Sequence, residues 1–261
     1  MEAWLGVLPT LLLAFCRMLS FFAVAPLFSS RLIPAQVKIG IAAALALSAL
    51  PALRESRVIS FDVSYVALVL KEIAVGLTLG FLGLLFFSAV QTAGAFVDIQ
   101  IGFGIANVID PMTGLQAPIV GQLKYMVALL LLLSTDAHHW MIAAAIESFR
   151  FIPPDADLLG WFSKPSTAEW WVRAFAEMFL LSFQLAAPLV VSMLIVDVAL
   201  GMLAKTAPQF NIFMIGLQVK ILVALALFAV FAASLAGWME DLFAVMARKM
   251  EEWLAMFGPG G

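Results

Sequence analysis

Charge is scarce in this sequence. Only 12% of its 261 residues are Asp, Glu, Lys or Arg and 64% are apolar, against about 25% and about 45–50% in a soluble domain. That balance excludes a soluble globular fold and makes the chain an integral membrane polypeptide. The formal net charge is −3 and no basic cluster accompanies it, which excludes a nucleic-acid partner. One cysteine, Cys16, excludes an internal disulfide and a cysteine-built metal site. There are two histidines, His138 and His139, and neither HExxH nor GxSxG occurs. Gly102-Phe103-Gly104 neither follows a strand nor opens a helix, as a dinucleotide-binding loop must. No motif therefore supports a cofactor, nucleotide or metal, and no enzymatic activity is expected. Also missing is a basic region before the first apolar run. MEAWLG leads into a run too long for a cleaved signal core, so it reads as a retained first span.

What the sequence does have is long apolar runs separated by short, proline-marked breaks. The pattern predicts an all-α, polytopic membrane-type protein of long bent helices and hairpins, forming one domain over 1–261. The expected spans are 3–30, 39–50, 65–97, 125–146, 170–204 and 221–257. Residues 73–97 carry no charge, giving about 37 Å of helix against a hydrocarbon core of about 30 Å. Pro188 predicts a bend in the fifth span. Leu242, Met246, Met250, Trp253 and Phe257 recur at helical spacing with charges opposite, so the tail should be an amphipathic helix. Trp4, Trp140, Trp161, Trp170, Trp171, Trp238 and Trp253 all lie near span ends or in connectors, as interfacial anchoring would place them. Lys and Arg are scattered through most connectors, which leaves the orientation unread.

The middle of the chain breaks the apolar pattern. Gly102, Gly104, Asn107, Asp110, Pro111, Gly114 and Pro118 fall within 17 positions. Each glycine costs a helix interior about 1 kcal/mol and each proline about 3. Asp110, preceding Pro111, is also pushed out of the α region. Irregular backbone at membrane depth is tolerated only where protein buries it or where it lines a water-filled cavity. An ordinary extramembrane connector is the competing reading. The apolar content (Phe96, Ile99, Ile101, Phe103, Ile105, Val108, Ile109) favours a loop held within an assembly or pore.

Nine ionisable residues sit in or beside the apolar runs: Arg17, Asp98, Asp110, Lys124, Asp136, Glu177, Asp197, Lys205 and Lys220. At roughly 2.5–3.5 kcal/mol each at a helix centre, they would cost roughly 20–30 kcal/mol. That exceeds the stability of a typical protein, about 5–15 kcal/mol. Most must be off-centre, paired, wet or packed against partner chains, and the chain is expected to bury much of this polar content against other subunits.

Gly76, Gly80 and Gly83 lie at i, i+4 and i+7, one smooth helix face that allows close helix approach. This predicts that Gly80→Leu blocks assembly more than membrane insertion. Asp136, His138 and His139 are the one cluster resembling a metal or catalytic site. Adjacent helical side chains point about 100° apart, so one ion should not easily take both histidines, and a structural or interfacial role is expected.

Three separated strings carry a resemblance: RMLSFFAVAPLFSSRLIPAQVKIG, AVQTAGAFVDIQIGFGIANVIDPMTG and VDVALGMLAKTAPQFNIFMIGLQVK. They resemble the FliR family of bacterial flagellar export-gate proteins, whose superfamily includes the injectisome counterparts. The resemblance covers nearly the whole chain, and NIF followed by IG, with DPMTGLQAP, looks closer to the flagellar branch. It implies a non-enzymatic, channel-forming subunit of the type III protein export gate in the bacterial inner membrane. Its implied partners are FliP-like and FliQ-like subunits in a helical hetero-oligomer, FlhB-like and FlhA-like export proteins at the cytoplasmic entrance, unfolded protein substrates, and membrane lipid. It also implies that the assembled subunit is displaced towards the periplasm.

The family's plug, which helps close the resting channel, would map onto about 102–118. Gly102 and Gly104 would supply flexibility, Asp110-Pro111 the fixed turn, and Ile105, Val108, Ile109 and Met112 the seal, with Gly114 and Pro118 completing the loop. Asn107 and Asp110 would hydrogen-bond the loop to the lumen wall. Arg17, Pro34, Lys38, Asp98, Pro208, Gln209, Phe210, Asn211 and Lys220, with the three glycines, would be structural and assembly positions. The alternatives are a virulence-type export subunit, a secondary transporter with broken helices, and a membrane hydrolase using Asp136, His138 or His139.

Overall fold

The computed structural model describes residues 2–30, 33–53, 62–103, 118–155, 165–209 and 211–257. Among them the chain is all helix, with no strand. The helices are α1 (Glu2–Val24), α2 (Ala35–Leu53), α3 (Val63–Ile101), α4 (Ile119–Ser134), α5 (Ala137–Phe151), α6 (Pro165–Thr206) and α7 (Ile212–Ala255). Three of them, within α3, α6 and α7, are long and apolar enough to cross a membrane.

Several boundaries differ from the sequence reading, each for a local reason. The first run ends as helix at Val24, because Pro26 follows and Leu27 takes a left-handed conformation (φ 72°). The run 125–146 is not one helix: it breaks between Ser134 and Ala137, where Asp136 is also left-handed (φ 56°). Aspartate is among the few residues that tolerate that region. The last span and the amphipathic tail are one uninterrupted helix, α7. α6 runs through Pro188 without a break.

The chain forms two compact units. The first contains Met1–Phe86, Leu133–Phe175 and Phe243–Gly261. Its core is built from Leu13, Met18, Phe21 and Phe22 of α1, Leu79, Leu82 and Phe86 of α3, Met141 and Phe149 of α5, and Phe243, Met246, Met250 and Trp253 of α7. Trp253 is 1% exposed, a core residue rather than an interfacial anchor. The three glycines serve this unit. A Cβ on Gly76 would stand 2.2 Å from the Arg17 carbonyl oxygen, and one on Gly80 would stand 2.8 Å from that of Phe21. At Gly76 and Gly80 the smooth face is thus occupied by the chain's own α1, while a Cβ on Gly83 would stand 2.6 Å from Met141 of α5.

Arg17, expected at an assembly interface, is fully buried in the same unit. Its Nε donates to Glu72 Oε2 at 2.6 Å and its Nη2 to Oε1 at 2.9 Å. Further bonds reach Ser148 Oγ at 3.0 Å and the Ile152 carbonyl at 2.7 Å, and the guanidinium lies 4.2 Å from the Phe149 ring centroid. Lys71 donates to the carbonyls of Pro153 and Pro154. One charged knot therefore ties α1, α3 and α5 together, and each of the three guanidinium nitrogens of Arg17 donates at least one hydrogen bond, the kind of satisfaction a buried ion pair requires.

The second unit contains Phe87–Leu132 and Ala176–Leu242. Phe96 of α3 stacks on Phe183 of α6 at 4.7 Å, and Phe87 meets Tyr125 of α4 edge-on at 5.8 Å. The most apolar windows of α6 and α7 are only 28% and 6% buried. Phe179, Phe183, Ile195, Leu222, Leu225 and Val230 stand exposed.

Candidate functional site

The second unit holds the two ends of the central loop. α3 stops at Gly102, whose φ of 104° is open to glycine at little cost. The Gly102 and Phe103 amides both donate to the Asp98 carbonyl, at 3.1 and 3.0 Å. The second of these is the 6→1 bond of a Schellman-type stop. Residues 104–117 lie outside the described residues, and with them Gly104, Ile105, Asn107, Val108, Ile109, Asp110, Pro111, Met112 and Gly114. The chain returns at Pro118, whose carbonyl accepts the Gln122 amide at 2.8 Å.

The Asp98 side chain joins these ends. It is 4% exposed. Both its oxygens accept the Val120 amide at 3.1 Å, and Oδ2 also accepts the Gly121 amide at 3.3 Å. A helix start leaves its first four amides unsatisfied, so Asp98 caps α4 from the last turn of α3. A carboxylate in the last turn faces the negative end of its own helix dipole, and the N-terminus of α4 supplies the opposite field. The backbones must meet for this to work. A Cβ on Gly94 would stand 2.1 Å from the Gly121 Cα, and one on Gly121 would stand 2.9 Å from the Gln91 carbonyl oxygen. Only glycine allows that approach.

A second polar group lies two residues on. Gln100 Nε2 donates to Asp197 Oδ2 of α6 at 2.8 Å, and Asp197 pairs with Lys220 of α7. Lys220 Nζ also donates to the Gln100 carbonyl at 3.2 Å. Lys124, one turn into α4 and 2% exposed, donates to the Leu185 carbonyl at 3.4 Å and lies 5.6 Å from the Phe228 ring centroid. The Leu185 carbonyl neighbours that of Gln184, which Pro188 deprives of its helical donor. Of the nine ionisable residues, Arg17, Asp98, Lys124, Asp197 and Lys220 are thus partnered by groups of this chain at buried or half-buried positions, so less of their cost falls to partner subunits.

The other expected positions are spread out. Pro34 is exposed just before α2, and Lys38 Nζ closes the α1–α2 turn on the Ser30 carbonyl at 3.1 Å. Pro208 and Gln209 are exposed in the α6–α7 turn, Phe210 lies outside the described residues, and Asn211 Oδ1 accepts the Met214 amide at 3.4 Å at the start of α7. Sequence reasoning singled out Asp98 and Gly102 but missed Gly94, Gly121, Gln100 and Asp197 as parts of one site. The glycines flanking the broken stretch were the available sign.

The chain matches the model of bacterial export proteins, family 1, over residues 8–246. It is 38% identical to a flagellar biosynthetic protein FliR of Bacillus subtilis, covering 99% of each chain. It is 32% identical to the FliR protein of Escherichia coli K12, over 93% of this chain and 91% of that one. It is also 28% identical to Yop proteins translocation protein T of Yersinia pestis, over 82% of both. Near-complete coverage rules out a shared fragment, and the chain belongs to bacterial export proteins, family 1, the family of the FliR flagellar biosynthetic proteins.

Proposed function

We propose that this chain is a channel-forming subunit of a flagellar type III export gate. It conducts unfolded flagellar proteins across the inner membrane, and its central stretch, 102–118, helps close the resting pore. FliP-like and FliQ-like chains, together with lipid, cover the apolar faces of α6 and α7 that the chain itself leaves exposed. FlhB-like and FlhA-like proteins stand at the cytoplasmic entrance, and assembly displaces the subunit towards the periplasm. No catalytic role is part of this reading.

The observation that carries it is the double use of Asp98, whose carbonyl ends α3 and whose carboxylate starts α4. A closing segment must move while its attachment points stay fixed, and a buried, glycine-packed clamp provides the fixed points. Deleting 107–114 tests the reading. The variant should still co-purify with its partner subunits, while cells carrying it leak ions through the resting channel. An assembled, ion-tight variant would remove the plug role, and loss of co-purification would move the stretch to assembly.

A virulence-type export subunit is the second reading, favoured by the similarity to the Yersinia translocation protein. Restoration of swimming in a strain lacking its own FliR protein separates the two.

A further inference from the structure

At the break between α4 and α5 the geometry points to a surface site for a late first-row divalent cation of the zinc class, formed by Asp136, His138 and His139. One ligand atom from each of the three lies within 4.8 Å of the others. The two imidazole rings, expected to diverge, instead stand 4.1 Å apart at 37°. The divergence rule describes the Cα–Cβ directions, and both residues lie within α5, so it is the side-chain torsions beyond Cβ that bring the rings together.

The backbone prepares this turn. Asp136 is left-handed, its amide donates to the Leu133 carbonyl at 3.3 Å, and its own carbonyl accepts the His139 amide at 2.9 Å. An aspartate at this N-cap position would ordinarily turn its carboxylate onto the next amides. Here it makes no capping bond. Its Oδ1 lies instead 3.6 Å from His139 Nδ1. Two ligands about 2.1 Å from a tetrahedral metal stand about 3.4 Å apart, so this pair already has nearly the spacing of a shared ion. Two imidazoles and a carboxylate suit zinc, nickel or cobalt better than magnesium or calcium, which prefer all-oxygen sites. Asp136 and His139 are exposed, leaving water or a neighbouring chain to complete the coordination.

Calorimetric titration of Zn²⁺ into the detergent-solubilised full chain, purified without a polyhistidine tag, tests this. One ion should bind per chain. Saturable binding should vanish in His138→Ala/His139→Ala and weaken about tenfold or more in Asp136→Asn. Loading the unmodified chain with Co²⁺ supplies a readout that does not depend on a variant folding, because imidazole and carboxylate ligands in a four- or five-coordinate site give intense visible bands. No saturable uptake, equal uptake by the double variant, or the weak spectrum of hydrated cobalt would each overturn the assignment.

Discussion

Both carboxylate oxygens of Asp98 lie 3.1 Å from the amide nitrogen of Val120, 22 residues further along the chain. The last turn of one helix thereby completes the first turn of the next, and the intervening residues leave and return at one buried point. Replacing Asp98 by Ala strands the Val120 and Gly121 amides. A buried donor left unsatisfied costs about 1–3 kcal/mol. Hydrogen exchange at the start of α4 should accelerate in Asp98→Ala, while Asp98→Asn, which keeps one acceptor oxygen, should show a smaller change. Equal protection in the parent and both variants would mean that the cap holds nothing.

Gly94→Ala attacks the same junction sterically. A methyl group 2.1 Å from the Gly121 Cα cannot be absorbed by a side-chain rotation, since both neighbours are backbone. The helices must separate, and the Asp98 bonds lengthen with them. Gly94→Ala should therefore expose the α4 amides at least as much as Asp98→Ala does. Because both changes break one structure, the double variant should lose much less than the summed effects. Full additivity, read by the same exchange experiment, would show the two features to be independent.

The helical class and the existence of an interrupted midpoint were legible in the sequence because apolar run length, glycine and proline act locally. The pairing of elements was not. Gly76, Gly80 and Gly83 announced a close approach without saying to what: α1 of the same chain meets the first two and Met141 of α5 the third. Arg17 and Glu72 lie 55 residues apart, and nothing in composition relates them. The break at Asp136 was hidden inside an otherwise apolar run, since a non-glycine left-handed residue leaves only a weak compositional trace. Asp98 was visible as a charge, but its role depends on where α4 begins.

Gly80→Leu follows from that intrachain packing. A Cβ alone would stand 2.8 Å from the Phe21 carbonyl oxygen and 3.1 Å from the Ala25 amide nitrogen, so a leucine would drive α1 off α3. The loss should appear in the isolated subunit, as a lowered melting temperature and reduced accumulation in membranes, even without partner proteins. A variant that accumulates normally alone and fails only in assembly would restore the intersubunit role read from the sequence.

The Arg17–Glu72 pair offers a double-mutant cycle with opposed signs. Both side chains are 0% exposed. Arg17→Met alone leaves the Glu72 carboxylate in the core, with Lys71 3.5 Å from it. Glu72→Leu alone leaves the guanidinium with Ser148, the Ile152 carbonyl and the Phe149 ring, and takes away the carboxylate it shares with Lys71. Removing one partner of a buried pair costs about 3–5 kcal/mol, whereas replacing both with apolar residues of similar size is often near neutral. The double variant should thus melt closer to the parent than either single variant does. Recovery should be incomplete, because Ser148 Oγ and the Ile152 carbonyl lose a donor in every variant lacking Arg17. If the double variant were as unstable as the sum of the singles, the two charges would not be acting on each other, and α1 would be held to α3 by its apolar and glycine contacts alone.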